Sequence, residues 1–292
     1  MDAWLYPPPP QRTVSPRLRW RRLADRLFRG AVVASVVVVL APLAAVLATV
    51  IAKGAPALDL AFLTHLPKPV GETGGGVGHA ILGTLFLALG GLGIAVPVGV
   101  PAGVFLASDR MPRLAGVVRM CADVLAGVPS IVVGLFAYTL LVMPFRQFSA
   151  LSGAFALAVI MLPTIVRTTE EVVRLVPPTL TEAALALGAP RWRAMLGVVL
   201  PSAGKGVAAG IIAAFSRGAG ETAPLMFTAF GSQFLSWNLL QPIAALPLVL
   251  FNYAVSPYED WHAQAWAAAL VLVVLVLVAN LVARYATARR SA

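Results

Sequence analysis

Five charge-free stretches of this chain are predominantly apolar over their whole length of 19 residues or more: 31–52, 80–107, 124–145, 148–166 and 263–283. A helix needs about 20 apolar residues to cross the hydrocarbon layer of a bilayer. A sixth stretch, 206–230, is equally apolar apart from Arg217 and Glu221. The runs are unbroken rather than alternating, which argues against a membrane β-barrel. Composition agrees: 12% of residues are charged and the mean hydropathy is +0.87, whereas a soluble domain carries about 25% charged residues. The expected fold is an all-α polytopic membrane protein with six transmembrane helices.

The net charge of +10 invites a nucleic-acid reading, but the positions of the charges turn it into a topology signal. With six spans and a cytoplasmic N-terminus, 18 Lys and Arg fall inside: seven before the first span, three in 108–119, five in 167–205 and three after Ala283. Only Lys53, Lys68 and Arg146 fall outside, and Arg217 lies in the membrane. That is a strong positive-inside bias. No nucleic-acid partner is expected; anionic membrane lipids are. Residues 238–255 form a further apolar run, interrupted by Pro242 and Pro247. Making it a span would push Arg284, Arg289 and Arg290 outside, so it reads as external, either interfacial or re-entrant. Both termini are therefore cytoplasmic. The expected organisation is a basic, Pro-rich tail (1–29), a transmembrane domain (30–286) with an internal loop (167–205) and an external segment (231–262), and a short tail (287–292). Pro7 to Pro10 favour an extended segment. The apolar run after it exceeds that of a signal peptide, so it reads as an uncleaved anchor.

Chemistry-bearing clusters are scarce. Cys121 is the sole cysteine, and His65, His79 and His262 are far apart, so no metal site is expected. No nucleophile–base constellation falls at membrane depth, and no Gly-rich phosphate-cradling motif with Lys and Ser/Thr is present. Catalytic residues are expected to be absent, as is any cofactor bound by this chain itself.

The internal loop carries denser signals. Pro177 and Pro178 end the helix leaving the membrane. Thr179 and Glu182 have capping-box spacing, which starts a short helix. Gly188 stands where such a helix ends in a left-handed residue, and Pro190 opens another. The loop serves either as a connector or as a docking element whose small residues let a partner pack closely.

Arg217 and Glu221 pose the sharper problem. A charge in hydrocarbon costs about 2.5–3.5 kcal/mol on insertion scales. The four-residue spacing places both on one helical face. Pro224 cannot donate to the Gly220 carbonyl, and Gly218 and Gly220 supply slack, so a bent helix is expected. The pair either locks helix packing or lines a pathway. Arginine offers a planar fork suited to an oxyanion. A glutamate beside it accepts a hydrogen bond from an anion that keeps a proton, as phosphate does near neutral pH and sulfate does not. Asp123 reads as a helix-start charge. Glu170 and Glu171 read as partners of nearby basic residues or of a docked subunit.

Glu182-Ala183-Ala184, three residues, Gly188, nine residues and Val198-x-Leu200-Pro201 resemble the EAA signature of permease subunits of ABC importers, with Val198 where that family favours isoleucine. Segments 74–107, 122–142, 162–192 and 216–229 are similar to phosphate importer permeases of the PstA type. The resemblance implies a type I ABC importer permease fold in a bacterial inner membrane. It implies coupling to an ATPase through Glu182, Ala183, Ala184, Gly188, Leu200 and Pro201, with Arg217 and Glu221 in the translocation region. It implies four partners: a second phosphate permease subunit, two ATP-binding subunits that hold ATP and Mg, and an external phosphate-binding protein. Permeases for sulfate, molybdate or phosphonate remain the alternative within transport; an autonomous channel and an intramembrane enzyme are the alternatives outside it.

Overall fold

The computed structural model describes residues 16–289 except 73, 109 and 110. The Pro7–Pro10 run and the last three residues lie outside them. Two compact units are distinguished, one up to Ile51 and one from Ala52 onward. The first is most of one helix, α1 (Pro16–Gly54). The basic residues from Arg17 to Arg29 are helical and continue into the apolar run from Ala31. Pro16 provides the reason, since proline is pre-organised for a first helical position.

In the second unit a short α2 (Leu60–Thr64) precedes the long α3 (Gly78–Ala107). Next come α4 (Pro112–Gly127) and α5 (Ser130–Phe145), then α6 (Ala150–Arg174), α7 (Pro178–Ala186) and α8 (Arg191–Ala219). The chain closes with α9 (Ala223–Met226), α10 (Leu246–Ala254) and α11 (Glu259–Arg289). Five helices are each long and apolar enough to cross a membrane, and α4 with α5 makes a sixth if the bent pair is one span.

That pair stands where the third span was expected over 124–145, and it starts earlier, at Pro112. The two helices meet at 104°. Val128 and Pro129 are both extended, with ψ of 130° and 134°; the ring of a proline drives the residue before it out of the helical region. Turns wide enough to be π-helical occur at Tyr138–Val142 and Met195–Val199. In each case a proline, Pro144 or Pro201, follows two residues later. The wider turn accommodates a ring that would otherwise crowd the carbonyl four residues back.

Glycines set the helix packing. A Cβ on Gly91 would meet Leu157 Cβ at 3.1 Å, one on Gly99 would meet Ile165 Cγ2 at 2.8 Å, and one on Gly103 would meet Thr169 Cβ at 2.5 Å. The constant offset makes α3 and α6 parallel. Along α8 the order reverses: Gly206 faces Val172, Gly210 faces Thr168 and Gly218 faces Met161, so α8 is antiparallel to α6. Lipid tails are as apolar as leucine, so close backbone approach is what holds such helices together.

Backbone hydrogen bonds fix the segment between α9 and α11. The first N–H groups of a helix have no partner within it. For α6 they are met from this segment: Ser149 N–H donates to the Thr228 carbonyl (3.0 Å), Ala150 N–H to Gln241 (2.8 Å) and Leu151 N–H to Leu239 (2.8 Å). Leu246 N–H donates to Thr84 Oγ1 of α3 at 2.8 Å. Ile243 to Leu248 are buried, and Ile243, Ala245 and Leu248 share a cluster with Leu87, Leu157 and Leu225. The middle of 238–255 is thus inserted among the spans rather than laid flat beside them, and α10, with nine residues, is too short to cross.

Candidate translocation site

The helix carrying Arg217 stops two residues later. Helix α8 ends at Ala219, and Gly220 N–H and Glu221 N–H bond back to the carbonyls of Arg217 and Gly218, each at 3.2 Å. The expected bent helix is therefore a broken one, with Glu221 outside it. Pro224 sits in the first turn of α9, where a missing N–H costs nothing. Neither Gly218 nor Gly220 takes a positive φ. Gly218 serves instead to let Met161 lie against the backbone, and Gly134 of α5 does the same for Pro224, whose Cα a Cβ there would meet at 2.6 Å.

Those contacts set the depth of the break. Met161 is the twelfth of the 25 residues of α6, so Gly218 and the break lie level with the middle of that helix, inside its apolar part. Arg217 Nε is 3.9 Å from Glu221 Oε1, a loose ion pair. The Arg217 side chain is 43% exposed and that of Glu221 19%. An arginine held open at this depth cannot face hydrocarbon cheaply; it needs an aqueous path or a partner chain. Beside it, Ser216 Oγ lies 2.7 Å from Asn280 Oδ1 on α11 and 2.9 Å from the Ile212 carbonyl. Asn280 was missed in the sequence, because a single amide in an apolar run has no spacing signal.

At the other end of α8 is the loop motif. Helix α7 starts at Pro178, and Thr179 makes no cap; the flanking residue is Pro177, with no side-chain hydrogen bond. The expected capping box is absent because proline already fixes the start. Gly188 has φ +83°. Ala189 N–H reaches the Ala184 carbonyl (3.1 Å) and Gly188 N–H the Leu185 carbonyl (2.9 Å), the paired bonds that close a helix on a left-handed residue. Glu182 and Ala183 are exposed while Ala184 packs inward. Leu187 is 89% exposed, an apolar side chain at the loop tip that the sequence reading passed over. Leu200 and Pro201 lie within α8; Leu200 packs beside Val173, Val199 and Ala203.

A second charged cluster joins α4 to α6. Glu170 is buried; it accepts from Arg119 Nη2 at 2.6 Å and Arg167 Nη1 at 3.3 Å, and Arg174 Nη2 is an ion-pair partner at 3.1 Å. Arg167 also donates to Asp123, with Nε at 2.9 Å, and Arg174 to the Leu106 carbonyl at 3.2 Å. Asp123 is thus near the end of α4, not at a helix start. Glu170 has the basic neighbours expected of it, and Arg119, 51 residues away, is the one sequence could not supply.

Residues 99–292 match the family described as the binding-protein-dependent transport system inner membrane component. The chain belongs to that family. This inner membrane component is 42% identical to the phosphate transport system permease protein PstA of Haemophilus influenzae, over 92% of the chain and 95% of the relative. It is 48% identical to that of Xylella fastidiosa, over 81% and 83%. An inward-facing form of the MetNI methionine ABC transporter superposes with a TM-score of 0.63 at 19% identity, over 73% of this chain and 95% of that one. The architecture is therefore the type I ABC importer permease fold, in a multi-pass inner membrane protein.

Proposed function

We infer that this inner membrane component is the transmembrane permease subunit of an ATP-driven importer of inorganic phosphate, forming half of the pathway. The observation that carries the reading is the half-exposed Arg217 at a helix break level with the middle of α6. Discontinuous helices at that depth are where transporters build substrate sites. The guanidinium fork meets two oxyanion oxygens at once. Glu221 accepts a hydrogen bond from the P–OH group that hydrogenphosphate retains and sulfate lacks. A loose pair suits this role, since a tight one would have to be broken at each passage.

No bond is made or broken in phosphate along this path, so the chain needs no catalytic group or cofactor of its own. Energy comes from two ATP-binding subunits that hold ATP and Mg. Glu182, Ala183, Leu187 and Gly188 present the surface that enters a cleft of such a subunit. Helix α8 is continuous from Arg191 to Ala219, so displacement at the loop is carried along one rod, its direction set by Leu200 and Pro201, to the break. A second phosphate permease subunit covers Arg217 from the other side, and an external phosphate-binding protein delivers the anion.

The test is uptake of labelled phosphate by a phosphate-permease deletion strain carrying this gene. Phosphate uptake that excess sulfate leaves untouched is expected. Uptake of sulfate without phosphate would retire the reading.

A further inference from the structure

The pathway helices are not the only elements held by charge. Helix α4 rests on α3 and α6 through a small apolar cluster of Leu106, Ala115, Ala122 and Val166. Beside that cluster is a half-open apolar pocket of about 170 Å³, lined from α3, α4 and α6 by Val98, Cys121, Leu125, Leu162 and Pro163 among others. Of the residues of α4 only Ala115 and Ala122 are buried, so little apolar contact seats it. What closes the gap in binding is the charged network: Arg119 and Asp123 of α4 against Glu170 and Arg167 of α6.

Helix α4 leads directly into the 104° corner and α5. Helix α5 meets Pro224 through Gly134 with no room for a Cβ, and Pro224 is three residues beyond Glu221. A shift of α4 therefore moves the corner, and the corner bears on the segment that holds Arg217 and Glu221. We propose that Glu170, with Arg119, Arg167 and Asp123, is a latch that seats α4 against α6 and, by way of the α4–α5 corner, positions the broken Arg217–Glu221 segment. Glu170 is a positioning residue in this scheme and touches no substrate. The proposal rests on the permease reading above, and adds to it a control point on the helix pair that precedes the pathway.

Neutralising Glu170 need not unfold the protein. Its three arginines have side chains 31%, 33% and 46% exposed, so water can solvate them once the carboxylate is gone.

The sole cysteine of the chain, Cys121, is exposed and lies on α4 between Arg119 and Asp123, a built-in reporter. The experiment uses the complete transporter in proteoliposomes. It measures maleimide modification of Cys121, ATP hydrolysis, and phosphate imported per ATP for wild type, Glu170→Gln, Glu170→Asp and Asp123→Asn. Glu170→Gln is expected to change the rate of Cys121 modification and to lower phosphate per ATP, the latter about tenfold, while hydrolysis continues. Glu170→Asp should recover part of both. Asp123→Asn, at a half-exposed position that folding tolerates, should shift both in the same direction and decides the matter if Glu170→Gln does not reach the membrane. Unchanged Cys121 modification, or uptake and hydrolysis falling together at a constant ratio, would overturn the latch. A wild type that imports no phosphate would count against the phosphate reading alone, since Cys121 modification and hydrolysis still report on the latch.

Discussion

The backbone of Gly218 lies against the side chain of Met161, with no space for a Cβ between them. This one contact places the end of α8 at the middle of α6, and so places Arg217 level with its apolar part. A charge there is either compensated or useful, and the 3.9 Å separation from Glu221 is poor compensation.

The first prediction follows from that looseness. Arg217→Gln/Glu221→Gln removes both charges and keeps the shape. Because the pair is loose and partly exposed, the thermal midpoint of the purified complex should change little, in line with exposed pairs worth about 0–1 kcal/mol. Phosphate uptake should be lost. Uptake near wild type at normal membrane levels would reduce the pair to packing.

Gly188 allows a cleaner separation of backbone from contact. Nothing lies within 4 Å of a Cβ built there, yet φ is +83°. Gly188→Val therefore costs only the left-handed strain, about 1–2 kcal/mol, and Gly188→Asn less. The loop is exposed, so insertion should be normal in both. ATPase co-purification and phosphate uptake should fall in the valine variant and survive largely in the asparagine one; equal behaviour of the two would show that the turn's geometry is irrelevant.

Helix α3 supplies a paired test of packing. At Gly103 a Cβ would meet Thr169 Cβ at 2.5 Å and the Val166 carbonyl at 2.6 Å, whereas at Gly93 it meets nothing within 4 Å. Gly103→Val should destabilise by about 1–3 kcal/mol through overpacking, seen as a lowered thermal midpoint in detergent. Gly93→Val, on the same helix, should leave the midpoint near wild type.

Thr84 tests how the re-entrant segment is held. Its hydroxyl accepts from Leu246 N–H at 2.8 Å and donates to the Ala80 carbonyl at 2.8 Å. Thr84→Val keeps the shape but leaves a buried N–H without a partner, a loss of about 1–3 kcal/mol. Thr84→Ser keeps the acceptor and should be mild. Proteolysis between α9 and α10 should quicken in the valine variant only.

Most of the architecture was legible because the constraint behind it is one-dimensional. Long apolar runs must be helices, since hydrocarbon offers no partner for backbone groups, and the distribution of Lys and Arg orients them. Gly188 was legible for a similar reason: its left-handed φ closes a helix whose residues are all local. Local rules failed where several competed. Thr179 had the spacing of a cap, but Pro177 and Pro178 had already fixed the helix start. Pro129 was present in the supposed third span, yet only the three-dimensional chain shows a 104° corner where a milder kink would have obeyed the same steric rule.

By itself the sequence determined the class, five of the long apolar helices and the residues of the loop motif. Each follows from composition or from residues within a few turns of one another. Tertiary structure alone decided that α8 breaks rather than bends, that the break stands level with Met161, that Arg119 reaches Glu170, and that Leu246 hangs on Thr84. These depend on which helix lies beside which, and at what register. That choice is made by glycine-sized gaps and single hydrogen bonds between residues up to 162 positions apart, which no periodicity along the chain records.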